Sequence, residues 1–465
     1  MPNLKDSLPK IKPVLDPEFV PIALWNRAFH KKIAESRNGE YLGVALERGD
    51  GSTTTIETQV LPHRGEGIQL NQRYVERLIK YMLWQKGGYK VYLAGDPAIA
   101  AYIAEVYSPQ GERAFDHEFM GDRIYGKPFS VVHVKREDLP EGRESTQPLG
   151  GHWDGCRIGF DLGGSDRKCA AVIDGEVVHS EEVVWDPYFQ KDPAWHYAGI
   201  NDSLKRAAAK LPRVDAIGGS AAGVYVNNEV RVASLFRGVS RADFDSKISR
   251  MFLKLRKEWN NIPFEVVNDG EVTALAGAIS LKDGAVLGVA MGTSLAAGYV
   301  TSGGHLTSGL DELAFVPVDM RDGAHVDEWS GDPGVGAQYF SQQAVGRLAP
   351  VAGIDLPAEM PLPEQLVEVQ KLMEAGDRRA HAIYETIGTY FGYNVAQYAA
   401  MYELRHLLLL GRVLTGSGGE LIVETAGKVL AAEFPELDEQ VEIVTPGEKE
   451  KRLGQAVVAA SLPSL

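Results

Sequence analysis

Cysteine is scarce in this chain: Cys156 and Cys169 are the two cysteines among 465 residues. Two thiols are too few for a disulfide framework or a four-thiolate zinc site. Long apolar runs are missing as well, since none approaches the ~18–20 residues that span a bilayer. The opening stretch MPNLKDSLPKIKPVLDPEF is charged and interrupted by proline, so it lacks the apolar core of a secretory signal. We therefore expect a cytoplasmic protein with no membrane partner.

Positive charge is also limited. The chain has 48 lysines and arginines against 63 acidic residues, which gives a formal net charge of −15. Such a charge repels nucleic acid and anionic membranes, so we expect small-molecule chemistry and no nucleic-acid partner. The 44% hydrophobic and 24% charged residues are typical of a globular protein. The length exceeds one compact core and predicts two or three domains.

Residues 1–150 are predicted to form an N-terminal α/β domain of unknown role. Its periodicity indicates a helix, two strands, a second helix with apolar positions Val75, Leu78, Ile79 and Leu83, a strand–turn–helix and a last strand. The polar stretch 137–155 mixes proline, glycine and charge, which is typical of a linker. This domain could cap a substrate cleft, mediate dimerisation or bind a second ligand. The residues Gly95-Asp96-Pro97 precede a predicted helix, and the start of that helix could face an anion. A helix capped by the Asp side chain is the simpler interpretation.

Residues 155–283 and 284–465 repeat one pattern of three strands followed by alternating helices and strands. In the second half the three strands are expected at 285–291, 295–301 and about 313–318, and a closing helix is expected at EKRLGQAVVAASL. Two copies of β-β-β-α-β-α-β-α predict duplicated lobes with a cleft between them.

The first motif is GFDLGGSDRKCAAV, residues 159–172, where an acid and two glycines lie between two apolar strands. Gly163 and Gly164 would allow a tight turn whose N–H groups, with the Ser165 hydroxyl, cradle phosphate oxygens. Asp161 would hold Mg²⁺ directly or through water. A β-hairpin turn with a surface acid is the alternative. Lys168 could reach a phosphate or face solvent.

The second half contains a counterpart, GVAMGTSLAAGYV. Gly292, Thr293 and Ser294 again place glycine and hydroxyls between two strands, and an ordinary hairpin turn is again the alternative. A fourth motif, LTGSGG, follows a buried strand and places Gly416, Gly418 and Gly419 before a helix. These glycines would let a nucleotide base and ribose lie against backbone, although a plain turn explains them equally.

The third motif, EVVNDGEVTALAGA, ends a strand at Asn268 and Asp269 and begins a small-residue helix. Asp269 could simply cap that helix. At the end of a core strand it could instead accept the proton of a substrate hydroxyl, the task of the general base in phosphoryl transfer. Asn268 would then bind a neighbouring hydroxyl.

These four motifs, in this order, resemble those of the actin-like ATPase and sugar-kinase superfamily, and residues 157–465 are most similar to the ROK family (repressors, open reading frames, kinases). The resemblance implies the two-lobed ribonuclease H-like fold with an additional N-terminal domain, and ATP and Mg²⁺ as cofactors. It also assigns the base to Asp269, the Mg²⁺ site to Asp161, and substrate contacts to Asn268, Asp311, Glu312 and Gln338.

The chain also departs from the ROK pattern. Phe315 stands where the family's Glu-x-x-His pair has its histidine, and Ala337 stands where a sugar-binding Glu is expected. The family's cysteine-rich zinc loop is replaced by residues 319–341, so we expect no structural zinc. The acids and the histidine of this loop are interpreted as solvated rather than metal-binding, because their spacing matches no ligand pattern; they are Asp319, Asp322, His325, Asp327 and Asp332.

The sequence therefore predicts an ATP-dependent kinase acting on a sugar, amino sugar or polyol, with a homodimer possible. One alternative is a sugar-responsive ROK-type transcription regulator, which would need a basic N-terminal helix pair. Another alternative is a sugar-binding relative that keeps the fold without catalysis.

Overall fold

The computed structural model describes residues 7–144, 149–357, 359–445 and 454–465. The chain divides into two compact units, each built from separate stretches. Unit 1 comprises Met1–Ser145, Ala290–Ala296 and Gly309–Ile443, and unit 2 comprises Thr146–Val289, Ala297–Ser308 and Val444–Leu465. The N-terminal segment therefore shares a unit with most of the second predicted lobe.

The N-terminal part of unit 1 is a four-stranded sheet covered by helices. Strand β1 pairs antiparallel with β2 and β3, and β3 pairs parallel with β4, in the order β2-β1-β3-β4. Helix α2 buries the apolar residues predicted to face the core, among them Val75, Ile79 and Leu83. The elements are α1 (Ile22–Ser36), β1 (Glu40–Glu47), β2 (Thr53–Val60), α2 (Glu66–Lys86), β3 (Lys90–Ala94), α3 (Pro97–Val106), α4 (Ala114–Glu118), a π-helical segment (Phe119–Tyr125) and β4 (Ser130–Val134).

Unit 2 contains a five-stranded sheet of order β11-β8-β5-β6-β7. Its first three strands are parallel, and β5, β6 and β7 form an antiparallel meander. The elements are β5 (Cys156–Leu162), β6 (Asp166–Ile173), β7 (Glu176–Val184), α5 (Pro193–Ala208), β8 (Ala216–Ala221), β9 (Val224–Val226), β10 (Glu229–Val232), α6 (Arg241–Asp243), a π-helical segment (Phe244–Ile248), α7 (Met251–Glu258), β11 (Phe264–Asn268) and α8 (Asp269–Leu281).

The remaining strands form a sheet of order β13-β12-β14-β15. The elements of this part of the chain are β12 (Val286–Met291), β13 (Leu295–Val300), α9 (Ala337–Phe340), α10 (Gln342–Val351), α11 (Leu362–Glu374), α12 (Arg378–Met401), β14 (His406–Leu410), α13 (Ser417–Glu433), α14 (Pro435–Gln440), β15 (Glu442–Val444) and α15 (Gln455–Ala460). Residues 450–453 of the predicted closing helix lie outside the described residues. None of the described helices is both long enough and apolar enough to cross a bilayer.

One predicted strand is wrong. The stretch at about 313–318 begins with a 3₁₀ turn, Leu313–Phe315, and continues in extended backbone without joining a sheet. Pro317 has no N–H to donate to a ladder. The N–H of Val318 donates to Gly334, and its carbonyl accepts from Ile22 of the N-terminal segment. This apolar run is therefore buried against loops and helices rather than between strands.

Several further elements escaped prediction, among them α4 and α14. Helix α11 was not expected, and neither was the hairpin of β9 and β10. The sequence does contain a signal for this hairpin, the pair Asn227-Asn228. Both residues lie at the turn, where they adopt positive φ angles of 53° and 62°. Consecutive asparagines between β-branched residues are typical of such a turn.

Candidate functional site

Asp161 lies near the end of β5 and is flanked on both sides by polar side chains of neighbouring strands. The register places it opposite Lys168 on β6 and opposite Ser220 on β8. The Ser220 hydroxyl donates to Asp161 Oδ1 at 2.8 Å, and Lys168 Nζ lies 3.7 Å from Asp161 Oδ2. Lys168 also lies 3.1 Å from a carboxylate oxygen of Asp166. The strand pairing therefore assembles a charged cluster around one buried carboxylate.

Burial raises the pKa of Asp161 to about 6, although the Ser220 hydroxyl and the Lys168 ammonium favour its charged form. The negative charge of Asp269 raises this pKa further. Asp161 and Asp269, chosen from separate sequence motifs, thus interact electrostatically within unit 2.

The turn between β5 and β6 has the predicted tight geometry. The Gly163 N–H donates to the Asp166 carbonyl at 2.9 Å, and Trp185 Nε1 donates to the Gly163 carbonyl at 2.8 Å. A Cβ on Gly164 would lie 2.1 Å from the Tyr188 hydroxyl, so packing alone requires glycine there. The exposed Ser165 hydroxyl donates to Asp166 at 2.8 Å. Lys168 is paired with acids at this turn rather than facing solvent alone.

Asn268, not Asp269, caps helix α8. The Asn268 Oδ1 accepts from the Gly270 N–H at 2.7 Å, and Glu271 Oε2 accepts from the Asn268 N–H at 2.9 Å, which forms a capping box. Asn268 Nδ2 donates to the Gly223 carbonyl at 2.7 Å. Asp269 is therefore not the N-cap of this helix. The two bonds of the Asn268 side chain use its oxygen and one of its two amide N–H groups, so the second N–H can donate to another group.

Asp269 is the first residue of α8 and is half-buried. Burial raises its pKa, opposed by the Gly270 N–H, which donates to Oδ1 at 3.1 Å. Burial raises the pKa of the Tyr225 hydroxyl, and the charge of Asp269 raises it further. A partly accessible carboxylate with a raised pKa can accept a proton from a neighbouring hydroxyl.

Two glycines let α8 begin directly against β13. A Cβ on Gly270 would lie 2.3 Å from the Ala297 carbonyl oxygen, and a Cβ on Gly298 would lie 2.4 Å from the Gly270 carbonyl oxygen. The backbone carrying Asp269 is therefore fixed by contacts that any larger residue would prevent.

The second predicted phosphate turn lies in unit 1, between β12 and β13. The Gly292 N–H donates to the Ser294 carbonyl at 2.9 Å, and the Gly292 carbonyl accepts from the Gln342 N–H at 2.9 Å. Thr293 and Ser294 are exposed. The turn thus presents two hydroxyl-bearing residues on a backbone that is anchored to α10.

The predicted adenosine loop has a packing reason for its glycines. A Cβ on Gly418 would lie 2.6 Å from the Tyr384 ring, and one on Gly419 would lie 2.0 Å from the Leu414 carbonyl. Gly416 adopts a positive φ of 74°. Glu374 Oε1 accepts from the Ser417 N–H at 2.9 Å and from its hydroxyl at 2.8 Å. A carboxylate therefore already occupies the start of this helix.

Two of the predicted substrate ligands in unit 1 are held by their backbone. The N–H groups of Asp311 and Glu312 donate to the carbonyls of Gln85 and Trp84, both at 2.9 Å. The buried Asp311 carboxylate accepts from the Tyr402 hydroxyl at 2.7 Å, and burial raises the pKa of Asp311 to about 6. Asp311 is thus satisfied inside the protein.

Gln338, the third predicted substrate ligand in unit 1, is buried, and its amide donates to Gln343 at 2.5 Å. The backbone carbonyl of Gln338 accepts from Arg347 Nε at 3.3 Å and from Arg347 Nη2 at 3.2 Å. Both the side chain and the backbone of Gln338 therefore already have protein partners.

The interpretation of the acids in residues 319–332 as solvated holds for Asp322, whose side chain is 54% exposed, and is wrong for the other three aspartates. Asp319, Asp327 and Asp332 are each 2–3% exposed. The Asp332 carboxylate contacts Lys80 and Arg113 of the N-terminal segment, and Tyr339 donates to Asp319 at 2.8 Å. The counter-charges come from residues far away in sequence, which is why composition alone suggested solvent exposure.

No group of three or more His, Cys, Asp or Glu residues able to hold a metal occurs in the part of the chain described here. Mg²⁺ does not need such a group, because it keeps several waters and binds one or two carboxylates together with phosphates. Asp161, with Asp269 interacting with it, fits that requirement.

Sequence reasoning missed two residues that contact Asp161, Ser220 and Gln455. Ser220 lies one residue before the end of β8, and its place opposite Asp161 follows from strand register, for which the sequence carries no local signal. Gln455 opens α15, and its amide lies beside the Asp161 carboxylate.

No protein-family model matches this sequence, and no curated protein matches it. Solved structures do match. The ROK hexokinase from Thermus thermophilus aligns with a TM-score of 0.51 at 19% identity, over 65% of this chain and 97% of that one. A ROK family transcriptional regulator, a homologue of the E. coli MLC protein, aligns with a TM-score of 0.52 at 16% identity, over 84% of this chain and 96% of that one.

These likenesses show the fold: the chain is an α/β protein with the fold of these two ROK structures. The predicted fold class and the resemblance are confirmed at the level of the fold, and the hexokinase match leaves part of the chain free for an additional domain.

Proposed function

We propose that this protein is an ATP-dependent kinase that phosphorylates a hydroxyl of a sugar, amino sugar or polyol. The supporting observation is the state of Asp269, which is half-buried, has a raised pKa and is relieved of helix capping by Asn268.

In this proposal Asp269 would accept the proton of the acceptor hydroxyl as that oxygen attacks the γ-phosphorus of ATP. The new O–P bond would form while the bond from this phosphorus to the ADP oxygen breaks, and ADP would leave. The remaining Asn268 N–H donates to a neighbouring substrate oxygen, and the fixed backbone at Gly270 sets the direction of both side chains. Asp161 would hold Mg²⁺ through its carboxylate oxygens, and the turn at Gly163 to Ser165 with Lys168 would contact phosphate. When bound, MgATP supplies the phosphoryl group and the cation that offsets its charge.

The remaining assignments are predictions for each unit taken by itself. Thr293 and Ser294 would bind phosphate oxygens with Gly292, and the loop from Gly416 to Gly419 would bind the nucleoside, with ribose hydroxyls as donors to Glu374. Glu312 would contact the acceptor. The boundaries at residues 150, 155 and 283, the cytoplasmic location and the homodimer also remain predictions.

The direct test is ADP release from ATP and Mg²⁺ with a panel of sugars, amino sugars and polyols. Asp269→Asn should lower turnover on an active acceptor by a factor of about 10²–10⁴ and leave nucleotide affinity unchanged. Glu176→Gln, an exposed acid at the start of β7, is the matched control and should keep full turnover. Equal turnover of Asp269→Asn and wild type would reject the assignment of the base.

A transcription regulator is the second candidate, because the ROK regulator covers 84% of this chain. Against it, described residues 7–60 hold one helix followed by the β1–β2 hairpin, and the net charge is −15. Sugar-sensitive binding to DNA at physiological salt, without ADP release, would favour this candidate.

A further inference from the structure

Gln455, the first residue of α15, contacts both the Asp161 carboxylate of β5 and the first turn of α8, the helix that begins with Asp269. With its amide oriented to satisfy its neighbours, Nε2 donates to Asp161 Oδ1 at 3.1 Å and to Oδ2 at 3.2 Å. The Gln455 Oε1 then accepts from the Thr273 hydroxyl at 2.8 Å. The opposite orientation would set the amide oxygen against carboxylate oxygens, with no hydrogen between these acceptors.

The position of Gln455 is fixed by unusually close packing of α15 on the sheet. A Cβ on Gly159 of β5 would lie 1.7 Å from the Ala456 carbonyl oxygen, and a Cβ on Gly218 of β8 would lie 1.7 Å from the Ala459 carbonyl oxygen. The helix backbone thus rests where side chains of β5 and β8 would otherwise stand. Asp161 and Ser220, two residues further along the same strands, lie beyond the end of that contact.

On its other side Gln455 contacts the helix that begins with Asp269. Thr273 lies one turn into α8, and its hydroxyl also donates to the Asp269 carbonyl at 2.8 Å, so its single proton is shared between that carbonyl and Gln455 Oε1. The amide therefore bridges the carboxylate at the end of β5 and the first turn of α8. Neither composition nor the four glycine-rich motifs indicated this residue.

We propose that Gln455 is a positioning residue that sets the orientation of the Asp161 carboxylate toward the Mg²⁺ of a bound Mg–nucleotide complex. This inference rests on the proposed function. Ser220 occupies one lone-pair direction of Oδ1, and the Gln455 amide straddles both oxygens, so together they fix the rotation of the carboxylate. Donors that hold a metal-binding group in this way set metal affinity without touching the metal.

The test measures affinity for the non-hydrolysable analogue AMPPNP by calorimetry, once with Mg²⁺ and once with EDTA. The ratio of the two affinities reports the contribution of the metal. Gln455→Leu, which keeps the size but removes the amide, should lower that ratio about tenfold and leave binding in EDTA unchanged. Gln455→Asn withdraws the amide by one methylene and should lower the ratio in the same direction, which preserves the test if Gln455→Leu does not fold.

Val457→Ala is the control, because it weakens the packing of the same helix without touching Asp161. It should lower the melting temperature and keep the ratio of wild type. A ratio in Gln455→Leu and Gln455→Asn equal to that of wild type would overturn this inference alone. Wild-type protein without Mg²⁺-dependent nucleotide binding would overturn the proposed function, and this inference with it.

Discussion

The backbone N–H of Glu312 donates to the carbonyl oxygen of Trp84 at 2.9 Å, which ties a predicted substrate ligand to the end of helix α2. The neighbouring bond from Asp311 to Gln85 repeats this contact one residue away. Trp84 also packs on Phe315, the residue that replaces the expected histidine, with ring centroids 4.4 Å apart. Helix α2 of the N-terminal segment therefore holds the loop that carries Asp311, Glu312 and Phe315 in place.

Lys80 is fully buried, and its Nζ lies 2.7 and 2.9 Å from the two Asp116 oxygens and also contacts Asp332. Lys80→Met leaves two buried carboxylates without their shared cation. We expect it to lower the free energy of unfolding by about 3–5 kcal/mol, measured by chemical denaturation.

The control for Lys80 is Lys428→Met. Lys428 lies 2.6 Å from Glu424, but both side chains are about 60% exposed, so its loss should cost under about 1 kcal/mol. Equal effects of the two substitutions would show that the buried cluster does not stabilise unit 1.

Asp311 should make stability depend on pH. Burial raises its pKa from 3.8 to about 6, so the folded chain binds the proton more tightly than the unfolded chain. This group therefore lowers the free energy of unfolding as pH rises from about 4 to about 6, by up to about 3 kcal/mol. Asp311→Asn should be more stable than wild type at pH 8 and not at pH 4, in denaturation at both pH values.

Asp377 provides the comparison for Asp311. Its side chain accepts from the Arg379 N–H at the start of α12, and hydrogen bonds from the Arg379 side chain and backbone lower its pKa to about 2. Asp377→Asn should therefore bring no gain at pH 8. A gain there equal to that of Asp311→Asn would point to net charge rather than burial.

Gly218→Ala should destabilise unit 2, because the added methyl group would meet the Ala459 carbonyl at 1.7 Å. We expect a loss of about 1–3 kcal/mol in the free energy of unfolding. Gly427→Ala in α13 should do the opposite, since a Cβ there meets nothing within 4 Å, and should gain about 0.5–1 kcal/mol. Thermal denaturation should show a lower melting temperature for Gly218→Ala and a higher one for Gly427→Ala. An unchanged melting temperature in Gly218→Ala would contradict the close packing of α15.

Asn268→Ala should cost about 1 kcal/mol by removing the cap of α8. Asn268→Asp keeps an accepting oxygen for the Gly270 N–H and should recover most of that stability, although it loses the bond to the Gly223 carbonyl. Chemical denaturation separates the two variants. Equal losses would show that the Gly223 bond, not the cap, stabilises this junction.

The sequence predicted what local pattern determines. Helix α2 and the meander of β5, β6 and β7 follow from the periodicity of their apolar residues, and the tight turn at Gly163 follows from its glycines. The strand expected at about 313–318 failed because Pro317 and its loop partners decide that backbone, and those partners are distant in the chain.

The candidate site divides in the same way. Asp161 and Asp269 could be chosen because each lies at the end of an apolar run, with a glycine one or two residues further along the chain. Ser220 and Gln455 could not be chosen, because their relation to Asp161 exists only through strand register and the packing of α15. The burial of Asp332 likewise depends on Lys80 and Arg113, which no local pattern connects to it.

The close packing of α15 against Gly159 and Gly218 has a consequence for folding during synthesis. The ribosome makes the strands of that sheet before residues 309–443 of unit 1, and it makes the helix that covers them after those residues. The glycine-lined face of the nascent sheet therefore stays uncovered while those residues are made. Long-range closure of this kind slows folding and leaves partly made chains prone to aggregation.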